Sequence, residues 1–354
     1  MTTVFGKSVN EMPGFDVLMI GPFPVDANRI EGGVQASLYG LARQLRNADE
    51  IADLHVVATP NRVGGDIVER TVADIPVTFL NAPYRFQMSA VAHVPRILRM
   101  LRGKARPLVH LHGSGLFEMA LLVACRLKRV PIVWTMHGIT EKETWEAFQR
   151  NRRVGPLLRW GLYRFCERMQ LWMAREMIVD TPYVAREVGA RSGVTPHVIP
   201  QGIFPEELAV ARTTERPSRI VLALGVIHPR KGHRQALEAF AKVLKRVPDA
   251  RLEIVGSLTS AAYLAELHEV GHALDLFAHI RILPDQTRGE VLTALAEARV
   301  FALHSEEESQ GIALCEAMAV GLPVVATTSG GIPDVIADSG AGLLVPFGDI
   351  DGFA

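Results

Sequence analysis

Two glutamates lie close to a glycine in the stretch EEESQGIALCEAMAVG, residues 306–321. Glu308 comes shortly before Gly311, where a helix is predicted to begin, and Glu316 lies within that helix. N–H groups at a helix N-terminus attract anions, so a phosphate is favoured beside Gly311. Carboxylates next to a phosphate would repel it unless they accept hydrogen bonds from hydroxyl groups, which sugars supply. The glutamates are therefore candidates to bind a hexose and a ribose of one ligand; a solvated helix surface is the alternative for Glu316.

The elements that would position these residues are short apolar strands that alternate with helices. In the first half the strand-like runs are FDVLMIG (15–21), LHVVATP (54–60), PLVHLHG (107–113), PIVWTMHG (131–138), EMIVDTP (176–182) and HVIPQG (197–202). In the second half such runs separate predicted helices at residues 234–246, 259–274, 287–298 and 311–320. This alternation is typical of parallel sheets wound with helices.

A polar stretch without periodicity, ARTTERPSR (211–219), separates the two series. We therefore predict two domains, residues 1–213 and 214–354. The predicted fold class is α/β, with two doubly wound parallel-sheet domains facing a cleft. Because such sheets bind ligands at the carboxyl ends of their strands, the strand before Glu308 would deliver this residue into the cleft.

Length and composition limit the possible functions. The 354 residues exceed the usual size of one core, 48% are hydrophobic, and the net charge is zero. This balance does not favour nucleic acid as a partner. The sequence has neither a signal-peptide pattern at its start nor an apolar run long enough to span a membrane, so we expect a cytoplasmic location. Three distant cysteines are expected to be reduced thiols.

Three histidines lie on two predicted strands. His110 and His112 alternate along one strand, so both face one side of it, and His137 ends the next strand. Together they could imitate a three-histidine zinc site. No carboxylate or further histidine stands at a suitable spacing, so no metal site is predicted. A buried structural histidine is the alternative interpretation for His137.

Residues 150–177 contain seven arginines and two glutamates. An apolar stripe recurs there at intervals of three and four residues: Leu158, Leu162, Phe165, Met169 and Trp172. Such a stripe can pack on its own domain. The combination of aromatic residues and arginines also suits an anionic membrane surface, which would place the protein peripherally at the inner face of the membrane and favour a lipid-linked acceptor.

The segment HSEEESQGIALCEAMAVGLPVVATTSGGIPDVI, residues 304–336, resembles the sugar-nucleotide signature of the family 4 retaining glycosyltransferases. Its order is a Glu, seven residues, a second Glu, Ala-Met-Ala, Gly-Leu-Pro-Val-Val and a Gly-Gly-Ile-Pro turn. The resemblance extends to GG (32–33), VHLHG (109–113), WTMHG (134–138), VIPQG (198–202) and LALGVIHPRKG (222–232). It implies the GT-B fold, in which both domains are Rossmann-like.

The resemblance implies roles for individual donor-site residues. Glu308 matches the carboxylate that holds donor-sugar hydroxyls, and Glu316 matches the one that binds the nucleotide ribose. Gly311 and Ile312 would offer backbone N–H groups to the diphosphate. The family usually has Gly-Phe-Gly after the first Glu. Here the loop is Ser309, Gln310 and Gly311, and the side chains of Ser309 and Gln310 are expected to project toward the sugar.

The resemblance also implies cations for the phosphates. Lys231 matches the Lys of a Lys-Gly pair in the family, and fixed cations in a dry cleft stabilise a departing diphosphate without a metal. The family commonly has an Arg where this chain has Val226, and Arg230 is the candidate substitute. An exposed basic turn is the alternative interpretation of this segment.

Gly32 and Gly33 lie between the first strand and a helix, where backbone can approach an anion closely. The resemblance puts donor phosphates and acceptor against this loop. It also puts His137 near the donor sugar, where the ring could bond a hydroxyl or the backbone carbonyl could steady positive charge at the anomeric carbon.

The implied activity is transfer of a hexosyl unit from a nucleoside diphosphate sugar to an acceptor hydroxyl of a polysaccharide, glycolipid or small glycoside. Anomeric configuration would be retained, and neither metal nor cofactor would take part. A catalytically silent sugar-nucleotide-binding subunit and a GT-B-fold epimerase are the alternatives. The last residues, GDIDGFA, suggest the first turn of another helix, so we expect the C-terminal domain to be truncated.

Overall fold

The computed structural model describes residues 13–59, 67–80, 87–151, 154–212, 216, 218–336 and 339–354. These residues form two compact units. The first unit contains residues up to Val25, Leu38–Val179 and Glu187–His197. The second contains Asp26–Ser37, Asp180–Arg186 and Val198–Ala354. Asp26–Ser37 and Asp180–Arg186, which interrupt the first unit along the chain, are short loops and the first turns of helices.

In the described part of the chain, the first unit is built on an eight-stranded sheet in the order β3-β4-β2-β1-β5-β6-β7-β8. Its strands are β1 (Phe15–Gly21), β2 (Ile51–Ala58), β3 (Ile67–Val72), β4 (Ile75–Leu80), β5 (Pro107–His112), β6 (Ile132–Met136), β7 (Glu176–Val179) and β8 (His197–Val198). β1 pairs in parallel with both β2 and β5, whereas β3 runs antiparallel to β4 at the edge. Sequence analysis did not identify the β3–β4 hairpin.

Helices connect these strands, and they bury apolar residues against the sheet. They are α1 (Gly33–Arg46), α2 (Gln87–Val91), α3 (Val94–Met100), α4 (Leu116–Lys128), α5 (Thr140–Asn151), α6 (Val154–Met173) and α7 (Pro182–Ser192). Met19, Ile20 and Trp134 on the central strands are fully buried. Among the described residues, none of the helices combines the length and apolarity needed to cross a membrane.

The second unit has a parallel sheet in the order β11-β10-β9-β12-β13-β14, six strands among the described residues. Its strands are β9 (Ile220–Leu224), β10 (Arg251–Gly256), β11 (Ile280–Pro284), β12 (Val300–Leu303), β13 (Val324–Thr327) and β14 (Gly342–Val345). Its helices are α8 (Pro205–Leu208), α9 (His233–Leu244), α10 (Ala261–Ala273), α11 (Arg288–Glu297), α12 (Ile312–Ala319), α13 (Ile332–Ile336) and α14 (Ile350–Phe353). Two doubly wound α/β sheets are therefore confirmed.

The strand order of the second sheet reverses between β9 and β12. From β9 the chain proceeds outward through β10 and β11, and it then returns to place β12 on the other side of β9. Open α/β sheets generally bind ligands at such a switch point, beyond the carboxyl ends of the strands. The loops after β9 and β12 carry Lys231 and Glu308.

One buried arginine fixes the far ends of two helices of this unit. The Arg216 guanidinium donates to the carbonyls of Leu295 and Ala298 at 2.9 Å near the end of α11, and to that of Val320 at 2.7 Å after α12. Burial lowers the pKa of Arg216. Because the last carbonyls of a helix lack partners within the helix, the guanidinium satisfies groups that would otherwise be buried and unpaired.

Candidate active site

The loops after β9 and β12 lie against each other. After β9 a single 3-10 turn (Pro229–Lys231) is followed by Gly232, the N-cap residue of α9, which has a positive φ of 64°. A side chain at Gly232 would place its Cβ only 1.9 Å from the backbone oxygen of His304, so this approach requires glycine. The N–H of Glu306 donates to the carbonyl of Arg230 at 2.9 Å. Backbone contacts alone therefore hold the two loops together.

Lys231 and Glu308 form an ion pair where these loops meet. Lys231 Nζ donates to Glu308 Oε1, and the two side chains are only 15% and 8% exposed. Ser305 Oγ donates to the same oxygen at 2.8 Å. Glu308 Oε2 forms no hydrogen bond with the residues that the structure describes, so it can accept one from a ligand.

The protonation state of Glu308 depends on this pair. Burial raises the pKa of the Glu308 carboxyl, but the charges of Lys231 and Arg230 and the hydrogen bonds from Lys231 and Ser305 outweigh it, so the pKa is lowered. Glu308 is therefore an ionised carboxylate in a nearly dry site. Such a group is a strong hydrogen-bond acceptor.

A pair of glycines supports the Glu308 loop from the other side. A Cβ on Gly330 would lie 2.0 Å from the carbonyl oxygen of Glu308, and one on Gly331 would lie 1.8 Å from that of Ser309. The Gly331 N–H donates to the Glu308 carbonyl at 2.8 Å. The Gly-Gly turn of the sequence signature therefore holds the loop by close backbone contact.

The residue before α7 and the first turn of α7 supply further contacts to the same loop. Thr181 Oγ1 donates to the Ser309 carbonyl at 2.9 Å, and Tyr183 Oη donates to Glu307 Oε1 at 2.7 Å. Glu307 is accordingly buried instead of solvated. Sequence analysis missed Ser305, Thr181 and Tyr183. The available signal was the run of three carboxylates, which cannot be buried without donors nearby.

The expectation for Gln310 was wrong. Its side chain is buried, and its amide forms two hydrogen bonds with the main chain of Gln201: Oε1 accepts from the N–H at 2.7 Å, and Nε2 donates to the carbonyl at 3.0 Å. A side-chain amide can mimic a peptide unit, so it satisfies a backbone segment here. It does not project toward a ligand.

The predicted phosphate-binding glycines also lie in the second unit. Gly311 has a positive φ of 80° and immediately precedes α12, which begins at Ile312. Gly32 and Gly33 lie near the loops after β9 and β12: a Cβ on Gly32 would be 3.6 Å from Val226, and one on Gly33 would be 3.9 Å from Ile312. Gly32, Gly33 and Gly311 thus belong to the same unit as Lys231 and Glu308.

Glu316 has a cationic partner that sequence analysis did not identify. Arg288, the first residue of α11, places Nη2 2.7 Å from Glu316 Oε1. Its Nε lies 3.4 Å from Glu207 Oε2. Arg288 had no motif to mark it, because the contact joins two helices that are distant in sequence. The alternative of a solvated surface residue does not hold for Glu316, which is buried.

The three histidines lie together in the first unit. His112 Nδ1 and His137 Nε2 share a hydrogen bond of 2.9 Å, and His110 Nε2 lies 2.8 Å from Thr135 Oγ1. Burial lowers the pKa of His110 to about 4 and holds that of His112 well below its usual value, with smaller effects of neighbouring histidines. Both are therefore neutral at pH 7. The described residues contain no group of three or more potential metal ligands.

Comparison with known proteins identifies the family. The model of Glycosyltransferase Family 4 matches residues 31–207, half of the chain, and that of Glycosyl transferases group 1 matches residues 206–354. The chain belongs to glycosyltransferase family 4. The resemblance inferred from the sequence is thereby confirmed. The protein is a glycosyltransferase.

Individual relatives agree with this assignment. The glycosyltransferase is 29% identical over 342 residues to a phosphatidyl-myo-inositol mannosyltransferase of Mycolicibacterium smegmatis, covering 95% of this chain and 82% of the relative. Its fold is similar to that of sucrose-phosphate synthase from Thermosynechococcus elongatus, with a TM-score of 0.76 at 20% identity over 95% of this chain and 87% of the other. It is also similar to that of Anabaena HepE in complex with UDP-glucose, with a TM-score of 0.70 at 18% identity over 96% of this chain and 87% of the other. The GT-B fold class is confirmed.

Replacing Lys231 by Met should destabilise the protein by about 3 kcal/mol at pH 7, because it leaves the buried Glu308 carboxylate without its cation. The folded-state pKa of Glu308 is lowered. The contribution of the pair is therefore present above the unfolded-state pKa of the carboxyl and is lost as the pH falls through the folded-state value. Urea denaturation of wild type and Lys231→Met at pH 7 and at acidic pH measures this difference.

Lys242→Met is the matched control, because Lys242 pairs with Asp351 in the same unit but the two side chains are 42% and 85% exposed. We expect it to cost less than about 1 kcal/mol. Equal losses for the two variants, or a Lys231→Met loss that does not shrink at acidic pH, would contradict this account of the site.

Proposed function

We propose that this glycosyltransferase moves a hexosyl unit from a nucleoside diphosphate sugar to an acceptor hydroxyl with retention of anomeric configuration, without a metal ion. The observation that carries the proposal is the buried Lys231–Glu308 pair at the switch point of the second sheet. It presents a cation and an open carboxylate oxygen side by side. A sugar linked to a diphosphate offers an anion for the cation and hydroxyl groups for the carboxylate.

The proposed role of the cations is to stabilise the leaving group. As the glycosidic bond breaks, negative charge develops on the diphosphate, and Lys231 and Arg230 would stabilise it in a site with little water. The N–H groups at Gly311 and Ile312 would contribute at the start of α12. Both residues lie in the 3-10 turn after β9, so one short backbone segment carries both cations.

Glu308 would position the donor sugar and would not attack it. Oε1 already accepts hydrogen bonds from Lys231 and Ser305, which leaves Oε2 to accept from a sugar hydroxyl. We propose that acceptor attack and departure of the phosphate occur on the same face of the sugar, with the departing phosphate oxygen taking the acceptor's proton. His137 would lie near the anomeric carbon, and Gly32 and Gly33 near the donor phosphates. Glu316 would bind the ribose.

The donor and acceptor classes are inferred from relatives. A similar structure held UDP-glucose, and a relative over most of the chain is named a phosphatidyl-myo-inositol mannosyltransferase. We propose a nucleoside diphosphate hexose as donor and favour a lipid-linked sugar or glycolipid as acceptor over a soluble polysaccharide or small glycoside. The surface of α6 supports a lipid acceptor.

Helix α6 turns an apolar stripe to solvent, although Leu171 and Met173 of the same helix are buried. Leu158, Phe165 and Trp172 are 70%, 56% and 78% exposed, whereas the polar Glu167 and Gln170 are fully buried. The residues at these spacings fall on opposite faces of one helix. The sequence-derived stripe is therefore exposed and does not pack on its own domain. Only an apolar environment outside the protein would bury it.

The charges on α6 favour an anionic surface. The helix contains Arg159, Arg164 and Arg168, of which Arg164 and Arg168 lie 3.3 and 3.8 Å from Glu141 of α5. Its single carboxylate, Glu167, is buried and lies 3.5 Å from Arg191. Aromatic residues flanked by arginines match the interfacial region of a bilayer that contains anionic lipids. We propose that α6, within residues 150–177, holds the protein peripherally at the inner face of the membrane.

A catalytically silent sugar-nucleotide-binding subunit is the second candidate. It is favoured by Val226, which stands where the family commonly has an Arg and lies against the Gly32 backbone. A silent subunit would bind the nucleotide but release no sugar from the donor. Turnover of a donor sugar separates the two candidates.

Glu308→Gln should lower kcat roughly 10- to 100-fold, because the amide keeps the size of the side chain but loses the charged acceptor for a sugar hydroxyl. The assay measures hydrolysis or transfer from UDP-, GDP- and ADP-hexoses, and NMR of the product reports its anomeric configuration. Glu269→Gln, an exposed carboxylate on α10, serves as control and should keep wild-type kcat. An unchanged kcat in Glu308→Gln, or an inverted product, would refute the mechanism.

Wild-type protein should float with phosphatidylglycerol vesicles and much less with phosphatidylcholine vesicles, and high salt should weaken the binding. The double variant Phe165→Ser/Trp172→Ser should bind at least about 10-fold more weakly, because it removes two aromatic side chains from the interface. Phe277→Ser changes a comparably exposed aromatic residue, 74% exposed, in the second unit and should not alter binding. Equal flotation of both variants would show that α6 is not the membrane surface.

A further inference from the structure

Arg288 occupies a position that local helix energetics do not favour. It is the first residue of α11, after the N-cap residue Thr287 and two positions before Glu290, whose carboxylate completes a capping box. The N-terminus of a helix carries partial positive charge, so a carboxylate suits the first turn and a cation does not. Glu290 is therefore electrostatically favourable at this helix end, whereas Arg288 is unfavourable. We therefore look to the side-chain contacts of Arg288 for an interaction that offsets this cost.

Those contacts are two carboxylates on other helices. Nη2 lies 2.7 Å from Glu316 Oε1 on α12, and Nε lies 3.4 Å from Glu207 Oε2 on α8. The guanidinium is planar, so contacts at two of its nitrogens fix both its position and its plane. The side chains of Arg288 and Glu316 are only 20% and 12% exposed, which makes their pair stronger than one in free solvent.

This arrangement leaves one oxygen of Glu316 open. Oε1 is engaged by Arg288, whereas Oε2 forms no hydrogen bond with a residue in the described ranges. A mostly buried carboxylate on a helix without such a cation could rotate, and both oxygens would then compete for any donor that approaches. With Arg288 in place, Oε2 is the one oxygen of this carboxylate left to accept a further hydrogen bond.

We infer that Arg288 is a positioning residue that fixes Glu316 so that Oε2 accepts from a ribose hydroxyl of the donor nucleotide. This inference rests on the proposed function, in which Glu316 binds the ribose. It adds a consequence for specificity. A nucleotide that lacks the hydroxyl would leave a desolvated carboxylate oxygen unpaired, so the fixed carboxylate distinguishes ribonucleotides from deoxyribonucleotides.

The test compares binding of ribo- and deoxyribonucleoside diphosphates. Calorimetry with UDP, GDP and ADP identifies the diphosphate that wild type binds most tightly, and its 2′-deoxy and 3′-deoxy analogues are then titrated. Wild type should prefer the ribonucleotide over at least one analogue by roughly 10-fold. Arg288→Gln should reduce this preference to about 2-fold or less, mainly by weakening the ribonucleotide, since the deoxy analogue makes no such bond.

Arg281→Gln is the matched control. Arg281 also pairs with a buried carboxylate of the same unit, lying 2.9 Å from Glu253, and it has no role in the proposed site. This variant should keep the wild-type preference. Arg288→Lys retains the charge without the planar fork and should keep only part of the preference, and it provides a second variant if Arg288→Gln does not fold.

The outcomes separate this inference from the function on which it depends. If wild type prefers the ribonucleotide and both Arg288 variants retain that preference, or lose affinity for ribo and deoxy forms equally, Arg288 is only structural and the inference is overturned. The same follows if wild type binds diphosphates without preferring ribose. If wild type binds none of the diphosphates, the proposed function itself fails, and this inference fails with it.

Discussion

The second unit depends on a buried ion pair that its fold must support from several sides. Moving a lysine and a glutamate out of water is costly, and the pair is tolerated only where geometry is good and further hydrogen bonds are made. Ser305 supplies one of these to Glu308, and the adjacent Arg230 adds positive charge. Glycines at 232, 330 and 331 allow the surrounding backbones to approach within distances that any Cβ would prevent. Several residues of the family signature therefore form or support this ion pair.

Much of this arrangement could be predicted from the sequence, because it follows from local patterns. Apolar runs that alternate with helical periodicity predicted both sheets, and β1 coincides with FDVLMIG over Phe15–Gly21. The spacing of Glu308 and Glu316 around a helix start singled out two carboxylates that the structure buries, one on the loop before α12 and one on α12. The β3–β4 hairpin was missed because β3 is an edge strand with exposed charged residues and little apolar signal.

The contacts that could not be predicted join residues distant in the chain. Thr181 and Tyr183 meet the Glu308 loop, and Arg288 meets Glu316, only because the fold brings these segments together. Gln310 was misjudged for the same reason, since its amide partner is the main chain of Gln201. For α6 the periodicity predicted an apolar stripe, but it could not tell which face of the helix is exposed. Burial of Glu167 and Gln170 decides that point.

The central claim is that Lys231 binds the pyrophosphate of a nucleotide next to the carboxylate of Glu308. Calorimetry with UDP, GDP and ADP and with the corresponding free nucleosides tests this most directly, in wild type and in Lys231→Met. The account predicts that wild type binds at least one diphosphate much more tightly than its nucleoside, and that the substitution removes most of this difference while nucleoside binding persists. An equal loss for diphosphate and nucleoside, or no heat with any diphosphate, would contradict it.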